Sequence, residues 1–239
     1  QQEQRLEKRA VHMPIARPLL PDVGAYQPYL EEMDAVRWYS NNGPLVKRLE
    51  ARIAKMFNLA SGNCVTTSSA TQALTIALQG QCDGAQGLCL IPSWTFAASV
   101  QAVCQAGLRP FFLDVDEVTQ QLTIDHVQEF IEANSHENIS AIMPVSPFGA
   151  WIDVEAWDAF SAQTGIPVVI DAAAAFFSVK AVNIPVCVSM HATKLPAAGE
   201  GGFILTKDSD LATKLRALAS FGFVKGAAYR QLSWNQCKN

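Results

Sequence analysis

The chain has 239 residues, 49% of them hydrophobic and 17% charged, with 18 Lys and Arg against 22 Asp and Glu for a net charge of −4. At about 150 residues per domain this is one large α/β domain or two small ones. The composition excludes a disordered, collagen-like or coiled-coil chain, and the mild acidity leaves no general footprint for nucleic acid or an anionic membrane. The cysteines, Cys64, Cys82, Cys89, Cys104, Cys187 and Cys237, form no C-x-x-C pair. Scattered thiols in apolar stretches point to a reducing compartment, hence the cytoplasm, and no metal site is expected. Residues 1–9 are polar and charged with no apolar core after them, unlike a signal peptide. The most apolar long window, 88–107, is interrupted by Pro92, Ser93, Thr95, Ser99, Gln101 and Gln105 and makes a poor transmembrane span.

In chain order, the first helix is signalled by Gly43-Pro44, with Leu45, Leu49, Ile53 and Met56-Phe57 on one face. A short strand over 63–66 runs into Ser68-Ser69-Ala70-Thr71, and Leu74, Ala77 and Leu78 continue as a helix that Gly80 is expected to stop. A strand over 88–91, a helix over 95–106 stopped by Gly107, and a strand over 110–114 follow. Thr123 caps a helix bearing Val127, Phe130 and Ile131. Next come a strand over 141–145, a helix over 154–163 ending at Gly165, and a buried strand, Val168-Val169-Ile170, that runs into Asp171. Strands over 186–190 and 203–206 precede a last helix marked by Leu211, Leu215 and Leu218. Short apolar strands alternating with helices predict a mostly parallel sheet covered on both faces. The first dozen and last dozen residues are the least patterned.

Ligands of open parallel sheets sit beyond the carboxyl ends of the strands, so chemistry is sought where strands stop. At the first stop, small and hydroxylated residues from Val65 to Thr71 leave backbone N–H groups open at a helix N-terminus, where a phosphate fits. Simple capping by Ser68 or Ser69 explains the same residues and is the better account taken alone. At the second, Asp171 is a carboxylate after a buried strand, costly unless a cation or several donors face it. Capping a helix over 172–176 is an equally good explanation. The third is Ser189-Met190-His191-Ala192-Thr193-Lys194, followed by Gly199-Glu200-Gly201-Gly202. Individually these read as a solvated lysine, a hydrogen-bonding histidine and a tight turn.

Together, a phosphate cradle, a strand-end aspartate and a lysine after a strand end are what pyridoxal phosphate (PLP) needs. The run Ser189-x-His191-x-x-Lys194-x-x-x-x-Gly199-Glu200-Gly201-Gly202 resembles the S-F-H-x-x-K-x-x-x-x-G-E-G-G signature of the DegT/DnrJ/EryC1/StrS aminotransferases. Those are fold-type I, PLP-dependent enzymes that mostly aminate keto sugars attached to nucleotides. Further segments agree in order: Arg17-Pro18, Tyr39 to Pro44 ahead of a helix carrying Glu50, Pro92-Ser93-Trp94-Thr95-Phe96, Phe112 to Asp116, and Ile170-Asp171-Ala172-Ala173-Ala174-Ala175. The resemblance runs from about Pro14 to the chain end.

The resemblance implies an α/β fold like the large domain of aspartate aminotransferase, with a mostly parallel seven-stranded sheet flanked by helices. It implies an N-terminal extension over 1–13, a PLP-binding large domain over 14–220, and a tail over 221–239 where a smaller C-terminal domain should begin. Lys194 is implied to hold the cofactor as a Schiff base and to move protons as the free amine. Asp171 is implied to keep the ring nitrogen protonated and Phe96 to stack on the ring, although core packing also accounts for Phe96. The N–H groups around Ala70, Thr71 and Gln72, with Ser189, are implied to bind phosphate, and Asn235 to reach the cofactor phosphate of a partner subunit. The implied reaction moves an amino group from an amino acid, glutamate being usual, to a keto sugar nucleotide, in a homodimer with its site at the interface. Ala174 departs from the pattern, standing where the family usually has Gln or His against the phenolic oxygen. Ala70 departs too, replacing a common glycine. A PLP-binding protein that is catalytically incomplete, or another PLP enzyme such as a lyase or dehydratase, remains as an alternative. Lys194 stands where the sugar dehydratases carry histidine, which argues against that branch.

Overall fold

The computed structural model describes residues 16–222. Seven strands are arranged in two hydrogen-bonded groups, β1 (Cys64–Thr67), β7 (Gly202–Leu205), β6 (Val186–Ser189), β5 (Ile170–Asp171) in that spatial order, and β3 (Arg109–Leu113), β2 (Leu88–Pro92), β4 (Ile139–Ile142). Parallel bridges from Ile142 to Val168 and from Val145 to Asp171 join β4 to the β5 segment. The result is one sheet in the order 3-2-4-5-6-7-1, parallel except at β7, which runs antiparallel to both β1 and β6.

Alternation along each strand sends side chains to opposite faces, and here both faces are apolar. Leu90, Ile142, Val168, Ile170, Val188 and Phe203 pack with α2 (Pro44–Met56), α5 (Ile124–Ala133) and α6 (Val154–Thr164). Cys89, Ile91, Met143, Val169, Cys187 and Ile204 pack with α3 (Ala70–Cys82), α4 (Ala97–Gln105) and α7 (Ser209–Leu218). Two-sided burial is why these strands read as continuous apolar runs. Edge strand β3 is the exception, with Phe111 and Phe112 part-exposed and Phe111 resting 4.6 Å from the Phe130 ring. Thr123 caps α5 through the His126 N–H, and Gly165 ends α6 in a left-handed conformation, as the sequence predicts.

The structure departs from the sequence reading in three places. A helix precedes the one at Gly43-Pro44: α1 (Val23–Val36), capped by Asp22, whose carboxylate accepts the Ala25 N–H. It buries none of its residues and carries Pro28 inside, so no apolar stripe announces it. Gly80 lies within α3 instead of stopping it. A Cβ there would sit 2.5 Å from Leu215 Cδ2, so Gly80 is the point where α3 and α7 approach closely. The segment after Asp171 forms turns, not a helix.

The cysteines among the described residues are free; Cys64, Cys89 and Cys187 are buried. Burial raises all three thiols far above the usual range, and burial with the nearby Asp83 carboxylate pushes Cys82 up to about 11. These sulfurs pack and do not react at neutral pH. No helix among the described residues is long and apolar enough to cross a membrane.

One buried charge ties the sheet edge to two helices. Glu50 on α2 is 5% exposed. Its Oε1 accepts the Thr66 N–H and hydroxyl, both at 2.9 Å, and its Oε2 accepts from Arg216 Nη1 of α7 at 2.7 Å. Arg216 Nη2 also donates to the carbonyls of Cys64 and Gly62. Removing one partner of such a pair strands a desolvated charge. Arg216→Ala is expected to lose about 3 kcal/mol of stability in urea unfolding; a loss under about 0.5 kcal/mol, as for an exposed pair, would contradict this account.

Candidate active site

The carboxyl ends of β1, β5 and β6 meet at one edge of the sheet because β7 starts there. Gly202, the first residue of β7, pairs with Thr67 at the end of β1 and with Ser189 at the end of β6. Asp171, the last residue of β5, pairs with Cys187 of β6 and bridges to Val145. This is the edge at which open α/β sheets bind ligands.

At β1, the chain turns through Ser68 and Ser69 into α3. Ser69 caps the helix, its hydroxyl oxygen accepting the Gln72 N–H at 3.1 Å. The first N–H groups of a helix have no partner within it, and they aim the positive end of the dipole outward. The Ala70 and Thr71 N–H groups stand in that position beside the cavity, whereas that of Gln72 is already engaged by the cap. The capping explanation for Ser69 and the anion-cradle explanation thus apply to different N–H groups of one turn.

After β6 the chain makes a closed loop that carries Lys194. Backbone bonds from Met190 N to Gly201 O, Ala198 N to Met190 O, and Ala192 N to Gly199 O, at 2.8–2.9 Å, pin its base. Lys194 N donates to His191 O, closing the turn that presents the lysine. His191 Nδ1 accepts the Thr193 N–H, which leaves the Nε2 side 3.8 Å from Glu200 Oε1. Buried Ser189 accepts the His191 N–H on its hydroxyl oxygen. Gly202 explains the last glycine of the run. A Cβ there would come within 2.7 Å of the Ser69 carbonyl and the Ala70 nitrogen, so β7 passes against the very turn that offers N–H groups.

Two adjoining cavities, about 220 and 330 Å³, share Phe96, Asp171, Ala173 and Lys194 in their walls. The larger reaches Ala70, Thr71, Ser189, His191 and Glu200. The smaller reaches Trp94, Ser146, Phe148 and Ala174. Phe96 is 78% exposed. It is not a core residue, and it offers a bare aromatic face beside the lysine and the aspartate. Asp171 is 5% exposed. Its Oδ1 accepts the Ala173 N–H at 3.1 Å, as a cap would, though no helix follows, and its Oδ2 accepts the Ser99 hydroxyl at 2.7 Å. Burial raises its pKa, opposed by those two hydrogen bonds and by the Lys194 charge. Ala174 contributes no polar atom from its side chain to the wall.

Lys194, Asp171, Phe96, Ala70, Thr71 and Ser189 therefore converge on one space; Gln72 is adjacent but does not line it. Asn235 lies outside the described residues. Sequence reasoning passed over Ser99. Its signal was a polar residue near the start of the apolar helix α4.

A buried aspartate, a lysine, a helix N-terminus and an exposed aromatic ring lining one space fit the shape and chemistry of PLP, and the sheet order is that of the fold-type I PLP-dependent aminotransferases. More narrowly, the profile of the DegT/DnrJ/EryC1/StrS aminotransferase family matches residues 24–236, and the chain belongs to that family. A UDP-2-acetamido-2-deoxy-3-oxo-D-glucuronate aminotransferase of Pseudomonas aeruginosa is 32% identical over 187 residues, covering 75% of this chain and 50% of the relative. A crystal structure from Bacillus cereus ATCC 10987, in the PLP-dependent aminotransferase class, superposes with a TM-score of 0.83 at 29% identity over 90% of this chain and 60% of that one. That of DesI in the presence of its TDP-sugar product gives 0.75 at 32% identity over 87% of this chain and 52% of that one. The chain spans about half the length of the curated relatives it matches.

Two outcomes follow from the geometry. Gly202→Ala must displace the Ser69–Ala70 turn, and overpacking of this kind costs about 1–3 kcal/mol. Thermal unfolding and PLP titration should both show a loss; unchanged PLP affinity would separate the cradle from this turn. For Asp171, the raised pKa means that the folded protein keeps a proton the unfolded chain releases above the ordinary value of 3.8. The stability tied to that proton is complete below the unfolded value and declines as pH rises through the folded one. Ligand-free Asp171→Asn should gain stability relative to the parent as pH rises above about 4 in urea unfolding. Parallel curves would show that the carboxylate is not desolvated.

Proposed function

We propose that this chain carries the cofactor-binding and proton-moving machinery of an aminotransferase that transfers an amino group from an amino acid, glutamate being the expected donor, to a keto sugar linked to a nucleotide. The observation that carries this is the placement of Lys194 and Asp171 in the wall of one space, between the Phe96 ring and the N-terminus of α3. The named sugar substrates of the relatives support the acceptor class. When bound, PLP supplies an electron sink for the negative charge left on the amino acid's α-carbon.

The protein's own groups do the rest. The Ala70 and Thr71 N–H groups and the Ser189 hydroxyl hold the phosphate. Phe96 covers one face of the ring. The Asp171 carboxylate holds a proton on the ring nitrogen, because an opposite charge alongside favours the charged form. The Lys194 amine would hold the aldehyde carbon, with loss of water, and as the free amine would move a proton at the substrate's α-carbon. We assign the PLP-binding large domain to residues 14–220. A homodimer with its site at the subunit interface is supported by α1, which buries nothing and exposes Tyr26, Tyr29 and Leu30. A cytoplasmic setting is supported by the free thiols.

A second reading, a PLP binder that is catalytically incomplete, draws on Ala174, which leaves the cavity wall without the usual polar side chain. One experiment separates the two. Borohydride reduction and peptide mapping should place the pyridoxyl group on Lys194, and Lys194→Ala should cut amino transfer to UDP- or dTDP-linked keto sugars at least about 100-fold. A pyridoxyl group on Lys180 or Lys207 would overturn the site. Correct labelling without any amino transfer would favour the binder.

A further inference from the structure

Ser99 stands behind the aspartate and belongs to none of the family's quoted motifs. It is the third residue of α4 and 0% exposed. A serine in the first turns of a helix commonly turns its hydroxyl back to a carbonyl of its own helix. Ser99 instead reaches across to β5 and donates to Asp171 Oδ2 at 2.7 Å, while its oxygen lies 2.7 Å from Thr95 Oγ1. A hydroxyl has a single proton. With that proton given to the carboxylate, Ser99 has only lone pairs left for Thr95, so Thr95 is the donor of the second bond. The chain is directional: Thr95 to Ser99 to Asp171. A proton placed on Oδ2 along that bond would turn the Ser99 hydroxyl away from the carboxylate.

We propose that Ser99, backed by Thr95, is a positioning residue that fixes Asp171 as an oriented carboxylate facing the cofactor space, an inference that rests on the PLP reading of the site. Each carboxylate oxygen has one fixed donor, Ser99 for Oδ2 and the Ala173 N–H for Oδ1. The carboxyl plane is thereby set, with lone pairs left for the cavity. The other ionisable groups facing it are Lys194 from the loop after β6 and the Cys187 thiol from β6. Burial opposes the charge, and the Ser99 bond opposes burial. Hydrogen bonds to charged groups are the stronger class, so a single hydroxyl can decide which form the aspartate takes.

The test follows the Asp171 carboxyl carbon by ¹³C NMR across pH in the ligand-free parent, Ser99→Ala, Ser99→Thr and Thr95→Val, and titrates each with PLP at about pH 6 and about pH 8.5. Ser99→Ala should move the carboxyl midpoint to higher pH and weaken PLP binding about tenfold more at the acidic pH than at the alkaline one. Thr95→Val should shift both in the same direction by less, and Ser99→Thr should restore the parental midpoint. An unmoved midpoint in Ser99→Ala, or an affinity loss equal at both pH values, would overturn the proposal in favour of simple packing. Should Ser99→Ala fail to fold, Thr95→Val decides by the same criteria. A parent that does not bind PLP refutes the reading of the site, while the ligand-free titration still decides the role of Ser99.

Discussion

A carboxylate removed from water is the constraint around which this edge of the sheet is built. Asp171 ends a strand buried on both faces, and a charge there is tolerable only where fixed donors and a cation surround it. Two donors and one cation meet it: the Ala173 amide just after it, the Ser99 hydroxyl from α4, and the charge of Lys194 on the loop after β6. The same burial that raises the pKa also keeps water from competing with a ligand's ring nitrogen. A solvated carboxylate would be easier to keep charged but would discriminate less between a protonated ring and bulk solvent.

The opposite end of the cavity depends on a different kind of restraint. The open N–H groups of Ala70 and Thr71 are useful only if the turn before α3 keeps its place. That turn is held from behind by the backbone of β7 at Gly202 and from below by Glu50, which takes both the amide and the hydroxyl of Thr66. Arg216 then ties Glu50 to the carbonyls of Cys64, the first residue of β1, and of Gly62 in the turn before it. A salt bridge remote from the cavity therefore braces the strand that leads into the α3 turn.

Much of this was legible in the sequence because the signals were local. Two-sided burial made the inner strands continuous apolar runs, and residues such as Thr123 and Gly165 marked helix ends by their own chemistry. Asp171 and Lys194 were legible only together, as a strand-end carboxylate and a lysine within one spaced motif, since each alone also reads as a cap or a solvated side chain. What escaped had non-local causes. Gly80 reads as a helix stop until the Leu215 side chain of α7 is seen to fill its place. α1 escaped because it has no buried face to impose a period on its sequence. Ser99 escaped because its partner is 72 residues away, and a buried serine in an apolar helix looks like a small packing residue until the strand beside it is known. The engagement of the Gln72 amide by Ser69 likewise depends on which of two serines sits at the cap, which only the turn geometry decides.

The antiparallel insertion of β7 has a consequence for how the protein comes into being. Among the described residues β1 finds its strand partner in β7, Cys64 opposite Leu205 and Thr67 opposite Gly202, so this edge is closed by a segment synthesised long after it. Until that segment arrives, β1 has an unpaired row of amides and the Ser69 turn lacks its backing. Pairings this distant in sequence carry a large loop-closure cost and are made late in folding. The β2–β3–β4 group, by contrast, can assemble from neighbouring segments as the chain emerges. By sequence separation alone, the strand pairing that backs the turn before α3 is the one that must wait for the last strand of the sheet.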